Sequence, residues 1–265
     1  MYQIKIQSLK SILLKAYPVY EKYLPKILKS ILLRIYTFFC KILLFRGIKV
    51  WPTKSYEVWM VIQFLLFSTK PKNLLELGSG RSTHYFSEYA HKCNCNLYSI
   101  EQNKNFVRKN TVGLKSSYLP INGLYHIPIS GDWFNTKKLE NILKSTTLDF
   151  ILVDAPGGAG NSGTRNSHVG NEFLKKICQS CSVIIYDDTH RKNVKDAFNK
   201  LKRSLHEDYF QICMNYPVGK TMNEITFLVK LKYYSTFKDF VSLLNLDNKI
   251  LTIFDIPLTN TKLKS

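Results

Sequence analysis

"NLLELGSGRSTHYFSEYA", residues 73–90, decides how the rest of the chain is read. The apolar run Leu74-Leu75-Glu76-Leu77 enters Gly78-Ser79-Gly80 and leaves through Arg81-Ser82-Thr83 into a helical pattern. A strand, a glycine turn and a helix in that order bring backbone N–H groups up to a ligand at the helix start. Dinucleotide-binding turns are written G-x-G-x-x-G; here Thr83 stands where the third glycine would be. Glu76, just before the turn, is also unexpected for NAD, because a carboxylate there suits a ligand that carries an ammonium group.

Outward from this turn the chain alternates in the manner of a parallel α/β sheet. "SYEVWMVIQFLLFS" (55–68) reads as a helix feeding the first strand. Strands are predicted over Asn73–Leu77, Asn96–Ile100, Leu124–Ile129, Leu148–Val153, Ser182–Tyr186, Phe210–Asn215 and Glu224–Val229. Helical stretches fill most of the gaps between the first five. "YPVGKTM" between the last two is too short for a crossover helix, so those strands should pair antiparallel. The expectation is a Rossmann-like, seven-stranded, mostly parallel sheet with its last strand antiparallel. It occupies residues 55–232, followed by a short helix and tail over 233–265.

The formal charge of +19 is unevenly placed: residues 1–50 hold ten Lys or Arg and one acid, Glu21. Within the 1–54 region, "KILKSILLRIYTFFCKILLFR" (26–46) puts Ile27, Leu28, Ile31, Leu32, Ile35, Phe38, Phe39, Ile42 and Leu43 on one half of a helix. Lys26, Lys29, Arg34 and Lys41 fall on the other half or its edges. The run lacks about 20 uninterrupted apolar residues, which argues against a lipid-crossing helix. It suits a basic helix lying in the interface of an anionic membrane, or one packed on the catalytic domain or a partner subunit. Six cysteines, in pairs such as Cys93-Asn94-Cys95 and Cys178-Gln179-Ser180-Cys181, lack zinc-hairpin spacing and read as thiols of a reducing compartment. A cytoplasmic protein peripheral to a membrane is the expectation.

With these residues in view, "LLELGSG" resembles the first motif of the class I S-adenosylmethionine-dependent methyltransferases. The resemblance implies that Glu76, Gly78, Ser79 and Gly80 hold the methionine end of that cofactor. It continues through "LYSIEQN", where Glu101 ends the second strand and would bind the ribose hydroxyls, as acids do in dinucleotide sites. In "ISGDWF", Asp132 matches the family acid that accepts from the adenine amino group, and Trp133 could lie against the adenine or be an ordinary packed tryptophan.

The fourth strand, "LDFILVDAPGG", brings Asp154 to the carboxyl edge, and the fifth, "SVIIYDDTHR", brings Asp187, Asp188 and His190. Three carboxylates in one crevice repel each other unless a cation or protons intervene, and oxygen ligands suit Mg²⁺ or Mn²⁺. The pattern resembles the metal-dependent O-methyltransferases of the catechol and macrocin type, which implies Asp154, Asp187 and Asp188 as metal ligands. "VDAPGG" and "YDDTHR" also resemble the glucuronoxylan-type polysaccharide methyltransferases. Asp154, Asp188 and His190 are the expected catalytic groups, polarising or deprotonating an acceptor hydroxyl. In the glycine-rich loop 155–170, Arg165 and His168 are the residues expected to grip an anionic or hydroxylated acceptor.

The reading is therefore O-methylation of a saccharide or other small acceptor, with S-adenosylmethionine and a divalent metal. Nucleic acid is a rival prompted by the charge, but the chain has no Asn/Asp-Pro-Pro-aromatic motif and no Pro-Cys nucleophile. A catalytically inactive membrane-associated protein would have no reason to keep the run of cofactor acids. Polyamine synthases share the fold, but their acidic substrate pocket is not recognisable here.

Overall fold

The computed structural model describes residues 56–107, 123–144, 146–156, 164–205, 208–218, 221–244 and 251–254. The basic amphipathic segment 26–46, the rest of region 1–54, Cys40 and the middle of the glycine-rich loop (157–163) lie outside the described residues. The chain divides into two compact units, and the sheet and the candidate site lie in the larger, within 50–236 and 247–265.

Helix α1 (Tyr56–Thr69) leads into β1 (Asn73–Leu77), and the glycine turn opens α2 (Arg81–Cys93), which is followed by β2 (Asn96–Glu101). Lys70, between α1 and β1, and Asn94, the C-cap of α2, both take the left-handed conformation. Next come β3 (Leu124–His126), the short strands β4 (Ile129–Ser130) and β5 (Trp133–Phe134), α3 (Thr136–Leu143) and β6 (Phe150–Val153). The chain continues with α4 (His168–Ile177), β7 (Val183–Tyr186), α5 (Lys192–Ser204), β8 (Tyr209–Val218) and β9 (Thr221–Lys230). Helix α6 (Tyr234–Leu244) and β10 (Leu251–Phe254) close it, and from Phe237 onward α6 belongs to the smaller unit.

Eight strands form the main sheet in the order β10-β8-β9-β7-β6-β1-β2-β3. The run β7-β6-β1-β2-β3 is parallel, whereas β9 is antiparallel to both β7 and β8. This is an α/β, Rossmann-like architecture. Strands β6 (FILV) and β7 (VIIY) are buried along their whole length, as expected of parallel strands covered on both faces. Amphipathic α5 buries Val194, Ala197, Phe198 and Leu201, the i, i+3, i+4, i+7 stripe. Helix α1 packs on α2 through Trp59 against Tyr85 (ring centroids 5.4 Å), and Tyr89 Oη donates to Leu66 O at 3.1 Å.

Two expectations need correction. The third strand ends at His126 and does not reach Ile129, because Pro128 has no N–H to continue a ladder. The residues beyond it instead make a separate hairpin, with Ser130 opposite Trp133 across the two-residue loop Gly131-Asp132. Gly131 has φ +72°, which a tight hairpin turn of this length requires. The second correction is the segment after α6, read as a tail. It contains β10, which pairs antiparallel with β8 from Leu251 opposite Met214 to Phe254 opposite Gln211 and gives the sheet its eighth strand. Its four residues, "LTIF", are too short a run for periodicity to separate from a loop.

Candidate functional site

The direction of connection reverses between β1 and β6, so the crevice at their carboxyl ends is the ligand position of an open α/β sheet. Ladder hydrogen bonds carry three functional segments to that edge. Gly78 N donates to Ile100 O at 2.8 Å, Asp154 N to Leu77 O at 2.8 Å, and Asp187 N to Val153 O at 3.1 Å. The glycine turn, Asp154 and Asp187 therefore stand side by side along one rim.

Within the turn the two glycines do different things. Gly78 has φ +101°, and a Cβ there would lie 2.8 Å from Ala155 Cβ and 3.0 Å from the Asp154 carbonyl carbon. Its backbone is packed directly onto the end of β6. Gly80 is extended (φ −171°), and a Cβ there would meet no protein atom within 4 Å. Protein packing does not require that glycine.

Glu76 is fully buried behind the turn. Its Oε2 accepts from Thr83 Oγ1 at 2.7 Å and from Ser99 Oγ at 2.5 Å, while Thr83 Oγ1 accepts the Gly80 N–H at 2.9 Å. These contacts tie Glu76, expected to face an ammonium group of the ligand, to the start of α2 and to β2. Glu101 lies in front of the turn: Oε2 accepts from Ser79 N at 3.0 Å and Ser79 Oγ at 3.2 Å, and Oε1 from Asn103 N at 2.8 Å.

Asp132 sits on the exposed tip of the β4–β5 hairpin, and its Oδ1 accepts from Ser167 Oγ at 2.7 Å. Ser167 is also the N-cap of α4, accepting from Gly170 N. Trp133 is fully buried, edge-on to Phe134 at 5.5 Å, with its indole against Gly170, where a Cβ would come within 2.4 Å of Cδ2. It holds the hairpin to α4, and the ordinary packed-tryptophan alternative is the one observed.

Beyond Asp154 the arrangement differs most from expectation. Arg165, expected to grip an anionic or hydroxylated acceptor, is only 4% exposed. Nη1 donates to Asp187 O at 2.5 Å, and Nη2 lies 3.2 Å from Asp188 Oδ2 and 3.5 Å from Asp154 Oδ1. Arg191 Nη2 reaches Asp188 Oδ2 at 3.3 Å, and Asn223 Nδ2 donates to Asp188 Oδ1 at 3.3 Å. Asp187 is buried and accepts from Tyr216 Oη at 2.7 Å. Burial, then the Asp187 charge, pushes the Tyr216 phenol well above its usual range, so it stays a proton donor. Asp188 has φ +61°, a left-handed conformation that short polar residues tolerate.

Arg165 Nη2 stands between the Asp154 and Asp188 carboxylates, and the Asp187 carboxylate accepts from Tyr216. Among the described residues no group of three His, Cys, Asp or Glu side chains could hold a metal ion. As arranged around Arg165, this donor set does not fit Mg²⁺ or Mn²⁺.

His190 is exposed, and its Nδ1 accepts from Glu224 N at 3.4 Å. His168 is exposed at the first turn of α4. The sequence reading missed Thr83, Ser99, Arg191, Tyr216 and Asn223. Only Thr83, standing in the third-glycine position, and Arg191, directly after His190, carried a signal.

No protein-family model and no curated protein matches the chain. It is similar to solved structures at low identity. One is the O-methyltransferase from Bacillus cereus in complex with SAH (16% identity, TM-score 0.47, covering 66% of this chain and 82% of that one). Human methyltransferase-like protein 13 in complex with SAH is similar at 16% identity and TM-score 0.45, with 72% and 92% covered. Spermidine synthase with the transition state analogue AdoDATO is similar at 13% identity and TM-score 0.42, with 60% and 55% covered. At such values the reading rests on the residues of this chain. Among the described residues no helix is long and apolar enough to cross a membrane.

Proposed function

We propose that this chain is an S-adenosylmethionine-dependent methyltransferase that methylates a hydroxyl of a saccharide or another small acceptor. The observation that carries the reading is Gly80, a glycine that protein packing does not call for, opening α2 beside a carboxylate-bordered turn. Such a position admits a ligand against the backbone, and a side chain there would fill the space. Glu101 spends three acceptor sites on Ser79 and Asn103, and a carboxylate has about four; the remaining one suits a ribose hydroxyl. Asp132 is exposed after the third strand, where it can accept from an adenine amino group. The fit to S-adenosylmethionine is in this donor set.

Bound S-adenosylmethionine supplies a methyl group activated by the sulfonium. The protein's part is to orient an acceptor hydroxyl and take up its proton. Asp154, 31% exposed at the rim between the turn and β7, is the acceptor for that hydrogen. His190 has Nδ1 engaged with a backbone N–H, so its neutral ring carries hydrogen on Nε2 and donates. His168, exposed at the start of α4, is a further contact for a polar acceptor. The basic N-terminal region 1–46 is proposed to attach the enzyme to an anionic membrane surface, which full-length protein would show by sedimenting with anionic but not neutral vesicles.

Calorimetric titration with S-adenosylhomocysteine tests the central reading. Micromolar binding that is lost in Glu101→Ala and weakened in Asp132→Ala is expected. A folded parent that binds none would end it.

A further inference from the structure

Arg165 is the feature that the general methyltransferase reading leaves unexplained. A guanidinium with 4% exposure is costly to bury unless its donors are met. Here both terminal nitrogens are engaged at the carboxyl edge of the sheet: Nη1 on the Asp187 carbonyl, Nη2 between Asp188 Oδ2 (3.2 Å) and Asp154 Oδ1 (3.5 Å). The planar fork matches oxygen acceptors spread over two strand ends, which a point-charge ammonium does less well.

The arginine is also held from its own side. Thr164 N donates to Asp132 O at 2.9 Å, Ser167 Oγ to Asp132 Oδ1 at 2.7 Å, and Lys200 Nζ to Asn166 Oδ1 at 2.9 Å. Residues 164–167 thus form a strap, tied at the β4–β5 hairpin and at α5, that carries one cation to the ends of β6 and β7. Carboxylates gathered at one edge need a positive partner, and this chain supplies it covalently.

We propose that Arg165 takes the place of a divalent cation in this carboxylate cluster, acting as a permanent internal counter-ion that holds Asp154 in position and makes the site metal-independent. Arg165 is a positioning residue: it works through Asp154 and Asp188 and not on an acceptor. Its role in methyl transfer rests on the methyltransferase reading, but its role as counter-ion does not.

The two are separated by titrating Mn²⁺ against full-length parent, Arg165→Lys, Arg165→Gln and the double variant Arg165→Gln/Asp188→Asn. Free Mn²⁺ is followed by its paramagnetic resonance signal. Parent and Arg165→Lys should take up no Mn²⁺ at the site. Arg165→Gln removes the charge at similar size and should bind one Mn²⁺ at least about tenfold more tightly than Arg165→Lys; the double variant should lose that gain. Stoichiometric Mn²⁺ binding by the parent that disappears in Asp188→Asn would overturn the proposal. So would a folded Arg165→Gln that binds no better than Arg165→Lys.

Should Arg165→Gln not fold, the parent still decides. Its thermal midpoint should be the same in EDTA and in Mn²⁺, and a Mn²⁺-induced rise abolished by Asp188→Asn overturns the proposal. S-adenosylhomocysteine binding, measured on the same samples, reports separately on the methyltransferase reading.

Discussion

Thr83 Oγ1 donates to the buried Glu76 carboxylate at 2.7 Å while accepting the Gly80 N–H at 2.9 Å. The shape of the turn thus depends on a hydroxyl in the position where dinucleotide sites have a third glycine. Thr83→Val keeps the volume but removes both bonds from a fully buried site. It should cost about 1–3 kcal/mol in denaturant unfolding and weaken S-adenosylhomocysteine binding, with Thr83→Ser restoring most of both. A valine variant as stable as the parent would mean that the network does not shape the turn.

Gly78 and Gly80 should separate stability from ligand binding. Gly78→Ala forces a side chain to φ +101° and to within 2.8 Å of Ala155 Cβ, so a loss of about 1–3 kcal/mol is expected. Gly80→Ala meets no protein atom and should stay within about 0.5 kcal/mol of the parent, yet lose affinity for S-adenosylhomocysteine. Denaturant unfolding and calorimetry on the two variants check the pair together.

The packing of Gly170 against Trp133 should tolerate no Cβ. Gly170→Ala places an atom 2.4 Å from the indole, and overpacking of about 1–3 kcal/mol should accompany a shift in tryptophan emission. An unchanged spectrum and stability would disprove the contact.

Tyr216 donates to a buried carboxylate, and its raised phenol pKa keeps the proton in place. Tyr216→Phe should destabilise the fold by about 1–3 kcal/mol while leaving S-adenosylhomocysteine affinity near that of the parent, because its hydroxyl bonds the Asp187 carboxylate and not a residue of the glycine turn. A variant that loses affinity and keeps its stability would place Tyr216 on the ligand side.

Alkaline pH should act through the buried thiols. Burial pushes Cys95 up to about 12 from an ordinary value of 9.0. The unfolded chain releases this proton first, so folded stability is full below pH 9 and falls as pH rises from there towards 12. Cys95→Ala should flatten that decline in unfolding measured at pH 8 to 11; an identical slope would remove Cys95 as its source.

The order of apolar runs, the glycine turn and the acids after successive strands were legible in the sequence because they are local. A parallel strand buried on both faces reads as "FILV" or "VIIY" wherever it occurs, and the turn needs its glycines within a few residues. The same local view could not say what stands among Asp154, Asp187 and Asp188. Three carboxylates require a counter-charge, and sequence leaves open whether it is an ion from solution or a side chain. Arg165, eleven residues beyond Asp154 and turned inward by a strap anchored on Asp132 and Lys200, stands against Asp154 and Asp188. Tyr216 and Asn223 were invisible for a related reason: they reach the site only because β9 runs antiparallel to β7 and carries its hairpin past the sheet's carboxyl edge. Sequence determined which charges arrive at that edge. Tertiary packing decided which of them neutralise one another, because that depends on distances of a few ångströms between segments far apart in the chain.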